Sequence, residues 1–457
     1  MPPMSTSEKP GRVVLAGAGL AGSLLAIFLA QRGFEVEVYE SRPDMRRASV
    51  EAGRSINLAI SERGIHALEQ VGLKAAVMPL ALPMRGRMIH DPDGATHFQP
   101  YGQRPTEVIN SISRADLNMH LMTAAERTGR VRFIFETRCT GMDLATRTLH
   151  VCDAGAAAGR SVRVDRVIGC DGAGSAIRGA MHESGGFDFE AQMLGHGYKE
   201  LTIPAADGGG HRLEADALHI WPRGDFMLIA LPNLDGSFTC TLFLQKTGDP
   251  GFERLDAPEA VLAFFERHFA DAVPLMPTLL DDFAANPVGP LGTILCRPWH
   301  VDDAAVILGD AAHAIVPFFG QGMNCAFEDC VALDGCLGAH PGDWGAIFAA
   351  FEAERKPNAD AIAELSRKNF LEMRDRVADP KFMLRKLIEL ALERRHPDVF
   401  IPQYSMVSFH RIPYAEVLRR GDIQDEILAE LLADISDIGD VDWDRADRMV
   451  ATRLTQL

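Results

Sequence analysis

The glycine run near the N terminus constrains the fold of this chain more than any other feature. The run reads G-x-G-x-x-G from Gly17 to Gly22 and directly follows the apolar stretch Arg12–Ala16. Glycine-rich turns are common, but this one separates a predicted buried strand from a predicted helix, and Glu35–Glu40 alternates as a second strand. The βαβ order predicts a parallel sheet with the glycines at the first strand-to-helix turn.

The same run predicts a site for a dinucleotide. Gly17 permits the tight turn, Gly19 lets a pyrophosphate approach the backbone, and Gly22 lets the helix pack closely on the strand. The start of the helix offers unpaired N–H groups to the phosphates. Glu40, 18 residues after Gly22, can accept hydrogen bonds from an adenosine ribose. The motif does not distinguish FAD from NAD. The acidic Glu40 disfavours the 2′-phosphate of NADP, although the nearby Arg42 weakens that inference.

Two further predicted strands end at an acidic residue beside glycine. Asp171-Gly172 follows the stretch Ser161–Cys170, and Gly309-Asp310 follows the stretch Ala304–Leu308. Ligands of open α/β sheets bind beyond the carboxyl ends of the strands. Each aspartate alone is more often a turn or cap residue, but the three strand ends together predict one long ligand that touches all of them.

The loop after Asp310 predicts a place for a flat ring. Gly320–Gly322 brings backbone close to such a ring, and a helix predicted from Met323 to Leu337 points its positive end at the loop. Asp310 could hold a ribityl hydroxyl. A reduced isoalloxazine carries negative charge, which a helix N-terminus stabilises. His313 is interpreted as a structural histidine that orders the backbone.

Composition disfavours several classes of partner. Lys plus Arg is 46 and Asp plus Glu is 63, a net charge of −17, so neither nucleic acid nor an anionic membrane is expected.

The eight cysteines include no C-x-x-C pair, so no metal site is predicted and free thiols in a reducing compartment are favoured. The apolar stretch Val13–Ala30 could imitate a membrane helix, but its internal glycines favour a strand, a turn and a buried helix.

The remaining pattern predicts an α/β fold with an inserted β-rich part and a helical C-terminal region. Leu218–Trp221, Phe226–Leu231 and Phe238–Leu244 are short β-rich runs separated by turn residues, which predicts an antiparallel meander. From Trp344 onward the chain is mostly helical, with expected breaks at Pro357, Pro380, Pro397 and Pro413. We predict a discontinuous Rossmann-like FAD-binding domain (1–75, 105–190 and 295–342), a β-rich substrate domain (76–104 and 191–294) and a helical region (343–457).

The three loops together resemble those of flavin-dependent aromatic hydroxylases, where they form the glycine motif at the adenine end, a DG motif and a GD motif. Five more specific runs, within a resemblance from about residue 12 to about 420, are similar to kynurenine 3-monooxygenases: Gly53–Ala59, Met84–His90, His196–Leu201, Leu218–Pro222 and Phe400–Val407. The membrane-anchoring C-terminal extension of eukaryotic members is missing. The resemblance therefore implies a soluble, cytoplasmic protein of the bacterial type.

The resemblance also implies a set of binding residues. Its FAD contacts fall on Ala21, Tyr39, Glu40, Ser41, Arg42, Ala59, Arg114, Cys139, Asp310, Met323 and Asn324, beside Gly17, Gly19, Gly22, Asp171 and Gly322 from the motifs. Its substrate contacts fall on Arg87, Tyr101, Asn369 and Tyr404. Arg87 lies in the apolar run Met84–His90, which is predicted to be a strand. A guanidinium can bind a carboxylate through two hydrogen bonds. From the residues alone, Arg87 would more commonly form a surface ion pair, the two tyrosines would be core residues and Asn369 would lie on a polar helix face. The assignment of these four residues to the substrate site therefore rests on the resemblance.

The reaction that the resemblance implies uses NADPH, O₂ and L-kynurenine. NADPH reduces non-covalently bound FAD, O₂ gives a hydroperoxyflavin, and its distal oxygen attacks the ring beside the amino group to yield 3-hydroxykynurenine. No catalytic acid, base or metal of the protein is predicted, and Phe318, Phe319 and Met323 would supply an apolar wall. The NADPH site and the oligomeric state are left open. The alternatives are a flavin hydroxylase for another aromatic acid and a non-catalytic FAD-binding protein.

Overall fold

The computed structural model describes residues 11–47, 57–375, 380–433 and 435–456; Gly53–Ile56 of the first specific run lies outside them. The strands are β1 Arg12–Ala16, β2 Glu35–Tyr39, β3 Asn57–Ile60, β4 Ala81–Met84, β5 Gly86–His90, β6 Thr96–Pro100, β7 Ile109–Ser113, β8 Val131–Ile134, β9 Thr137–Asp143, β10 Thr148–Asp153, β11 Arg160–Arg163, β12 Val167–Gly169, β13 Asp188–Ile203, β14 Ala217–Arg223, β15 Phe226–Pro232, β16 Phe238–Gln245, β17 Gly289–Arg297, β18 His300–Val301 and β19 Ala305–Ile307. The α-helices are α1 Leu20–Gln31, α2 Glu62–Gln70, α3 Lys74–Val77, α4 Arg114–Arg127, α5 Ala176–Glu183, α6 Pro258–His268, α7 Leu279–Ala285, α8 Asp310–His313, α9 Gly322–Ala339, α10 Trp344–Asp375, α11 Pro380–Arg395, α12 Gln403–Ser408, α13 Tyr414–Leu432 and α14 Trp443–Arg453.

A six-stranded sheet holds the three loops that the sequence singled out. Its order is β18-β19-β12-β1-β2-β8, and all neighbours are parallel except β18 and β19. The strands β1, β12 and β19 are adjacent, and each ends one or two residues before one of the loops that begin at Gly17, Asp171 and Gly309. Because parallel strands place their carboxyl ends at the same edge, the three loops meet there.

A seven-stranded sheet forms the β-rich part, in the order β17-β13-β16-β15-β14-β5-β6. The predicted meander is confirmed as β14-β15-β16, and the one parallel pair of this sheet is β14 with β5. Along β15, Leu228 and Ala230 join an apolar core that includes Phe265 of α6. Met227 and Ile229 alternate with them and face a cavity. The period-two pattern therefore separates a core face from a cavity face.

Helices α9 to α14 form the helical C-terminal region and its connection to the parallel sheet. Helix α10 packs against α9 and α13, and Ile362 of α10 shares an apolar cluster with Cys325 of α9 and Val417 of α13. Among the described helices, none combines the length and apolarity needed to cross a bilayer.

Three predictions about individual elements were wrong. Ser161–Cys170 is not one strand, because β11 pairs with β10 in a small sheet whereas β12 belongs to the parallel sheet. Met84–His90 breaks at Arg85, whose N–H donates to the Asp216 carbonyl at 2.7 Å, and β4 and β5 lie in different sheets. Pro357 lies inside α10, where packing against α9 and α13 outweighs the hydrogen bond that proline lacks.

Candidate active site

The cavity at the sheet edge has a volume of about 870 Å³, towards the upper end of the range typical for ligand sites. The predicted site residues that line it are Gly17, Gly19, Ala21, Tyr39, Glu40, Ser41, Arg42, Ala59, Arg87, Tyr101, Arg114, Cys139, Asp171, Asp310, Gly322, Met323 and Tyr404. Gly22, Asn324 and Asn369 are not among the lining residues. We call the part formed by Gly17, Gly19, Ala21, Tyr39–Arg42 and Asp171 the glycine wall.

The glycines of the first loop differ in what surrounds them. Gly17 has φ +95°, and a Cβ added to it would lie 2.5 Å from the Cys170 carbonyl oxygen. A Cβ on Gly22 would lie 2.1 Å from the Gly17 carbonyl oxygen, so this glycine allows α1 to pack on the turn. At Gly19 an added Cβ meets no atom of the described residues within 4 Å. Its missing side chain leaves room inside the cavity itself.

Glu40 is held in place by the loop around it. Its carboxylate accepts hydrogen bonds from the Ala18 N–H at 2.9 Å, the Arg42 N–H at 2.9 Å and Arg42 Nε at 2.8 Å. Burial alone would raise the pKa of Glu40, but the bonds and charge of Arg42 outweigh it and lower the pKa. The wall therefore presents a fixed carboxylate, an acceptor for hydroxyl groups.

The second and third loops bring two aspartates to the cavity, and β9 brings the thiol of Cys139. Asp171 Oδ2 accepts from the Ala176 N–H at 2.7 Å, at the start of α5, and burial raises the pKa of its carboxyl. It thus acts as a cap residue as well as a lining residue. Burial also raises the pKa of Cys139 to about 12, so that side chain is a neutral thiol. Asp310, the first residue of α8, lies exposed in the cavity wall.

The N-terminus of α9 points into the cavity, where Gly322 and Met323 line the wall. Asn324 lies behind them, fully buried. Its Nδ2 donates to the Ala59 and Gly320 carbonyls at 2.9 and 3.0 Å, and its Oδ1 accepts from the Ser61 N–H at 3.0 Å. Asn324 therefore fixes the backbone on both sides of the α9 N-terminus.

Three of the four predicted substrate residues come together on another part of the wall. The Arg87 guanidinium carbon lies 4.9 Å from the Tyr404 ring centroid and 5.6 Å from that of Tyr101. The two tyrosine rings stack with centroids 5.5 Å apart, and Phe319 stacks on the other side of Tyr404 at 5.3 Å. We call Arg87, Tyr101, Phe319 and Tyr404 the tyrosine wall. It combines one cation, two phenols and apolar ring surface.

Both phenols of the tyrosine wall are neutral at physiological pH. Burial raises the pKa of Tyr101 well above its ordinary value, and burial likewise raises that of Tyr404. The Arg87 charge favours the phenolates in both cases but does not overcome burial. The hydroxyls can therefore donate hydrogen bonds to an anion.

Apolar side chains fill the wall between these groups. The cavity faces of β15 and β16 contribute Met227, Ile229 and Phe243, and Phe318 packs against Phe243 with centroids 5.0 Å apart. Asn369 Nδ2 donates to the Phe318 carbonyl at 2.7 Å, so Asn369 touches the wall from behind.

A buried charge cluster supports the third loop from below. His313 Nε2 lies 2.6 Å from Asp329 Oδ2, and Arg355 Nε donates to Asp329 Oδ1 at 2.8 Å. Burial alone would lower the pKa of His313, but Asp329 and Cys325 raise it well above its ordinary value. His313, Cys325 and Asp329 have the spacing of metal ligands. The Arg355 guanidinium and a protonated imidazole, however, make the cluster unfavourable for a cation.

Several lining residues were missed by the sequence reasoning. Tyr198, Leu218, Thr239 and Thr241 lie on strands of the seven-stranded sheet and line the cavity, as does Asn57 at the start of β3. The period-two alternation of β16 is the signal that could have found Thr239 and Thr241. Asn57 gave no local signal, because its Nδ2 bonds to Ser111 Oγ and the Pro232 carbonyl depend on tertiary contacts.

The residues present fit FAD. Helix α1 begins at the loop without a capping side chain among the described residues, so its first N–H groups are available to phosphates. The open space at Gly19 lies beside that helix start, and Glu40, whose carboxylate lines the cavity, directly follows β2. Each of these features belongs to a dinucleotide site.

Comparison with known proteins defines the class first. Residues 11–366 match the family model described as FAD binding domain. The fold is similar to that of 2-methyl-3-hydroxypyridine-5-carboxylic acid oxygenase, with a TM-score of 0.66 at 20% identity over 82% of this chain and 96% of that one. It is also similar to PqsL of Pseudomonas aeruginosa, solved with 2-aminobenzoylacetate, with a TM-score of 0.64 at 21% identity over 80% and 97%. The chain therefore belongs to the FAD-binding family that this model describes, and it shares the fold of these two proteins.

Full-length relatives narrow this class. The chain is 51% identical to the kynurenine 3-monooxygenase of Myxococcus xanthus over 99% of this chain and 97% of that one. It is 48% identical to that of Stenotrophomonas maltophilia over 97% of both chains. The chain belongs to the kynurenine 3-monooxygenase family.

Proposed function

We propose that this enzyme hydroxylates L-kynurenine to 3-hydroxykynurenine. The reaction consumes NADPH, a proton and O₂; one oxygen atom enters the ring and the other leaves as water. The observation that carries this proposal is the tyrosine wall, where a half-buried guanidinium and two neutral phenols face an apolar cavity that continues to the glycine wall. An aromatic α-amino acid offers the matching carboxylate and ring.

Each group on the tyrosine wall has a part in binding. Arg87 pairs with the α-carboxylate of the substrate, and the hydroxyls of Tyr101 and Tyr404 donate to the same group. Asn369 acts through Phe318, whose carbonyl it binds at 2.7 Å. Phe318, Phe319 and Met323 cover the aromatic ring and exclude water from the reacting carbon.

The glycine wall and the residues beside it would hold FAD without a covalent bond. The N-terminus of α1 and Gly19 would bind the pyrophosphate, and Glu40 would accept hydrogen bonds from the adenosine ribose. Asp310 would accept from the ribityl chain, and Arg114, Ala59 and Cys139 would border the flavin. FAD, when bound, supplies the activation of O₂ with electrons from NADPH. The protein then has to orient the ring beside it and needs no acid or base of its own, because the substrate arylamine already donates electron density to the attacked carbon.

The test is an assay of the purified holoenzyme against a panel of aromatic acids. We expect bound FAD, and an NADPH oxidation that kynurenine stimulates more than hydroxybenzoates or anthranilate do. Mass spectrometry should find a product heavier by one oxygen atom, with the label from ¹⁸O₂. A hydroxybenzoate as the preferred substrate would assign the enzyme to another aromatic acid, and FAD binding without turnover of any panel member would contradict catalysis.

A further inference from the structure

Helix α12 carries Tyr404, and the carbonyls at its C-terminal end need hydrogen-bond donors from elsewhere in the fold. The helix spans only six residues, Gln403–Ser408, so its last carbonyls have no partner within the helix. The Phe409 N–H reaches the Ser405 carbonyl, but Met406 and Val407 are buried with their carbonyls still to be satisfied. The next residues lead to Pro413, which has no N–H to offer.

Arg63 meets this requirement from a distant part of the chain. It lies on α2, and only 1% of its surface is exposed. Its Nε donates to the Val407 carbonyl at 3.1 Å, and its Nη2 donates to the carbonyls of Met406 at 3.4 Å and Ile412 at 2.5 Å. One guanidinium thus collects three carbonyls that follow Tyr404.

Two further contacts fix the orientation of Arg63. Its Nη1 donates to Glu328 Oε1 on α9 at 2.6 Å, and its guanidinium carbon lies 3.8 Å from the Tyr414 ring centroid. Glu328 also accepts from Arg355 at 3.3 Å, so the ion pair joins the charge cluster beneath the third loop. Arg63 is therefore tied to the FAD-binding part of the molecule on one side and to the segment after Tyr404 on the other.

We propose that Arg63 is a positioning residue of the reaction, which caps α12 and so holds Tyr404 against Arg87 on the tyrosine wall. Arg63 does not line the cavity and touches neither substrate nor FAD. Its effect on substrate binding, which rests on the function proposed above, passes through the backbone of α12. Lysine cannot replace it, because a single ammonium lacks the planar fork that reaches three carbonyls and Glu328 together.

The chain offers a matched control. Arg420 on α13 is also 1% exposed and also donates to buried carbonyls, through Nη1 to Thr455 at 2.9 Å and Nη2 to Val399 at 2.5 Å. Arg420, Thr455 and Val399 are not among the residues that line the cavity. Arg420→Lys therefore loses contacts to buried carbonyls in the same way, but it leaves untouched the Met406, Val407 and Ile412 carbonyls that Arg63 binds after Tyr404.

The test compares the Arg63→Lys and Arg420→Lys holoenzymes. We expect both variants to keep FAD and to lose similar thermal stability. Only Arg63→Lys should raise the kynurenine KM, by about tenfold, and increase the share of NADPH oxidised without hydroxylated product. In a Tyr404→Phe background the same substitution should raise KM less than about twofold, because the hydroxyl that it misplaces is already gone.

An unchanged KM and coupling in Arg63→Lys, or a full tenfold effect in the Tyr404→Phe background, would overturn the proposal. If Arg63→Lys gives no soluble holoenzyme, Glu328→Gln weakens the same grip, and an unchanged KM there has the same meaning. Hydrogen exchange of residues 403–412 without substrate separates this proposal from the function itself. Faster exchange in Arg63→Lys than in Arg420→Lys supports it whichever substrate the wild type prefers, and equal exchange refutes it.

Discussion

The glycine wall and the tyrosine wall line one cavity but are built in opposite ways. The glycine wall lies at the ends of the adjacent strands β12, β1 and β2 and at the start of α1, where Gly17, Gly19 and Ala21 leave the backbone accessible. The tyrosine wall takes Arg87 from β5, Tyr101 from the loop after β6 and Tyr404 from α12, which follows much later in the chain. The difference suggests that the cofactor is gripped by local backbone geometry, whereas the substrate is recognised by side chains that only the complete fold brings together.

The largest effects are expected when one methyl group is added to a glycine of the glycine wall. Gly17→Ala places a Cβ 2.5 Å from the Cys170 carbonyl oxygen at φ +95°, so we expect loss of the folded holoenzyme. Gly19→Ala meets no atom of the described chain within 4 Å, so it should keep the melting temperature of the apoprotein and weaken FAD about tenfold or more.

Fluorescence of released FAD and thermal melts of the apoprotein measure the two effects separately. Gly335→Ala on α9, also without a described neighbour within 4 Å of the added Cβ, is the control and should alter neither. Equal behaviour of Gly17→Ala and Gly19→Ala would refute the separate roles assigned to these glycines.

On the tyrosine wall, Arg87→Met should raise the kynurenine KM by roughly 10- to 100-fold, because a charge-assisted pair is lost from a buried site. The FAD content should equal that of the wild type, because Arg87 lies on the seven-stranded sheet and not on the glycine wall. Steady-state kinetics and the flavin absorbance of the purified variant measure both. A variant that lost both FAD and kynurenine binding would contradict the separate roles of the two walls.

Tyr101→Phe and Tyr404→Phe should each raise the kynurenine KM by roughly three- to tenfold, the effect of one hydrogen bond. Burial raises the pKa of both phenols, so they stay protonated below the ordinary tyrosine pKa of about 10. The ratio of wild-type to variant KM should therefore be constant from about pH 6 to about pH 8.5. A ratio that collapses within this range would show that a phenolate forms.

The smallest effect is expected from replacing His313, which supports the third loop without lining the cavity, and this effect is on stability rather than on binding. Its pKa is raised in the folded protein, so its contribution to stability is fully present below the unfolded pKa of about 6.5 and is lost as pH rises through the folded value. His313→Gln should lower the unfolding free energy near pH 7 by about 1–3 kcal/mol and flatten its alkaline decline. Denaturant melts across pH would show a parallel decline if the imidazole were neutral.

The same contrast explains what the sequence could predict. The run from Gly17 to Gly22, and the acidic residues after β12 and β19, are local patterns, and parallel strands bring such ends to one edge. Asp171, Asp310 and Glu40 accordingly line the cavity as predicted. The meander β14-β15-β16 also followed from alternation and turn residues.

The remaining features depend on tertiary contacts. Arg87, Tyr101 and Tyr404 carried no decisive local signal, and only the resemblance singled them out. Ser161–Cys170 was predicted to be one strand, since nothing local shows that β11 and β12 pair in different sheets. Arg63 went unnoticed because the carbonyls that it binds lie more than 340 positions along the chain.

One measurement tests the central claim, that the tyrosine wall reads the carboxylate of an amino acid beside the flavin. The kcat/KM for kynurenine is compared with that for kynuramine, the same molecule without its carboxylate, in the wild type and in Arg87→Met. We expect the wild type to prefer kynurenine by at least about tenfold and the variant to lose nearly all of this preference. An equal preference in both proteins would contradict it.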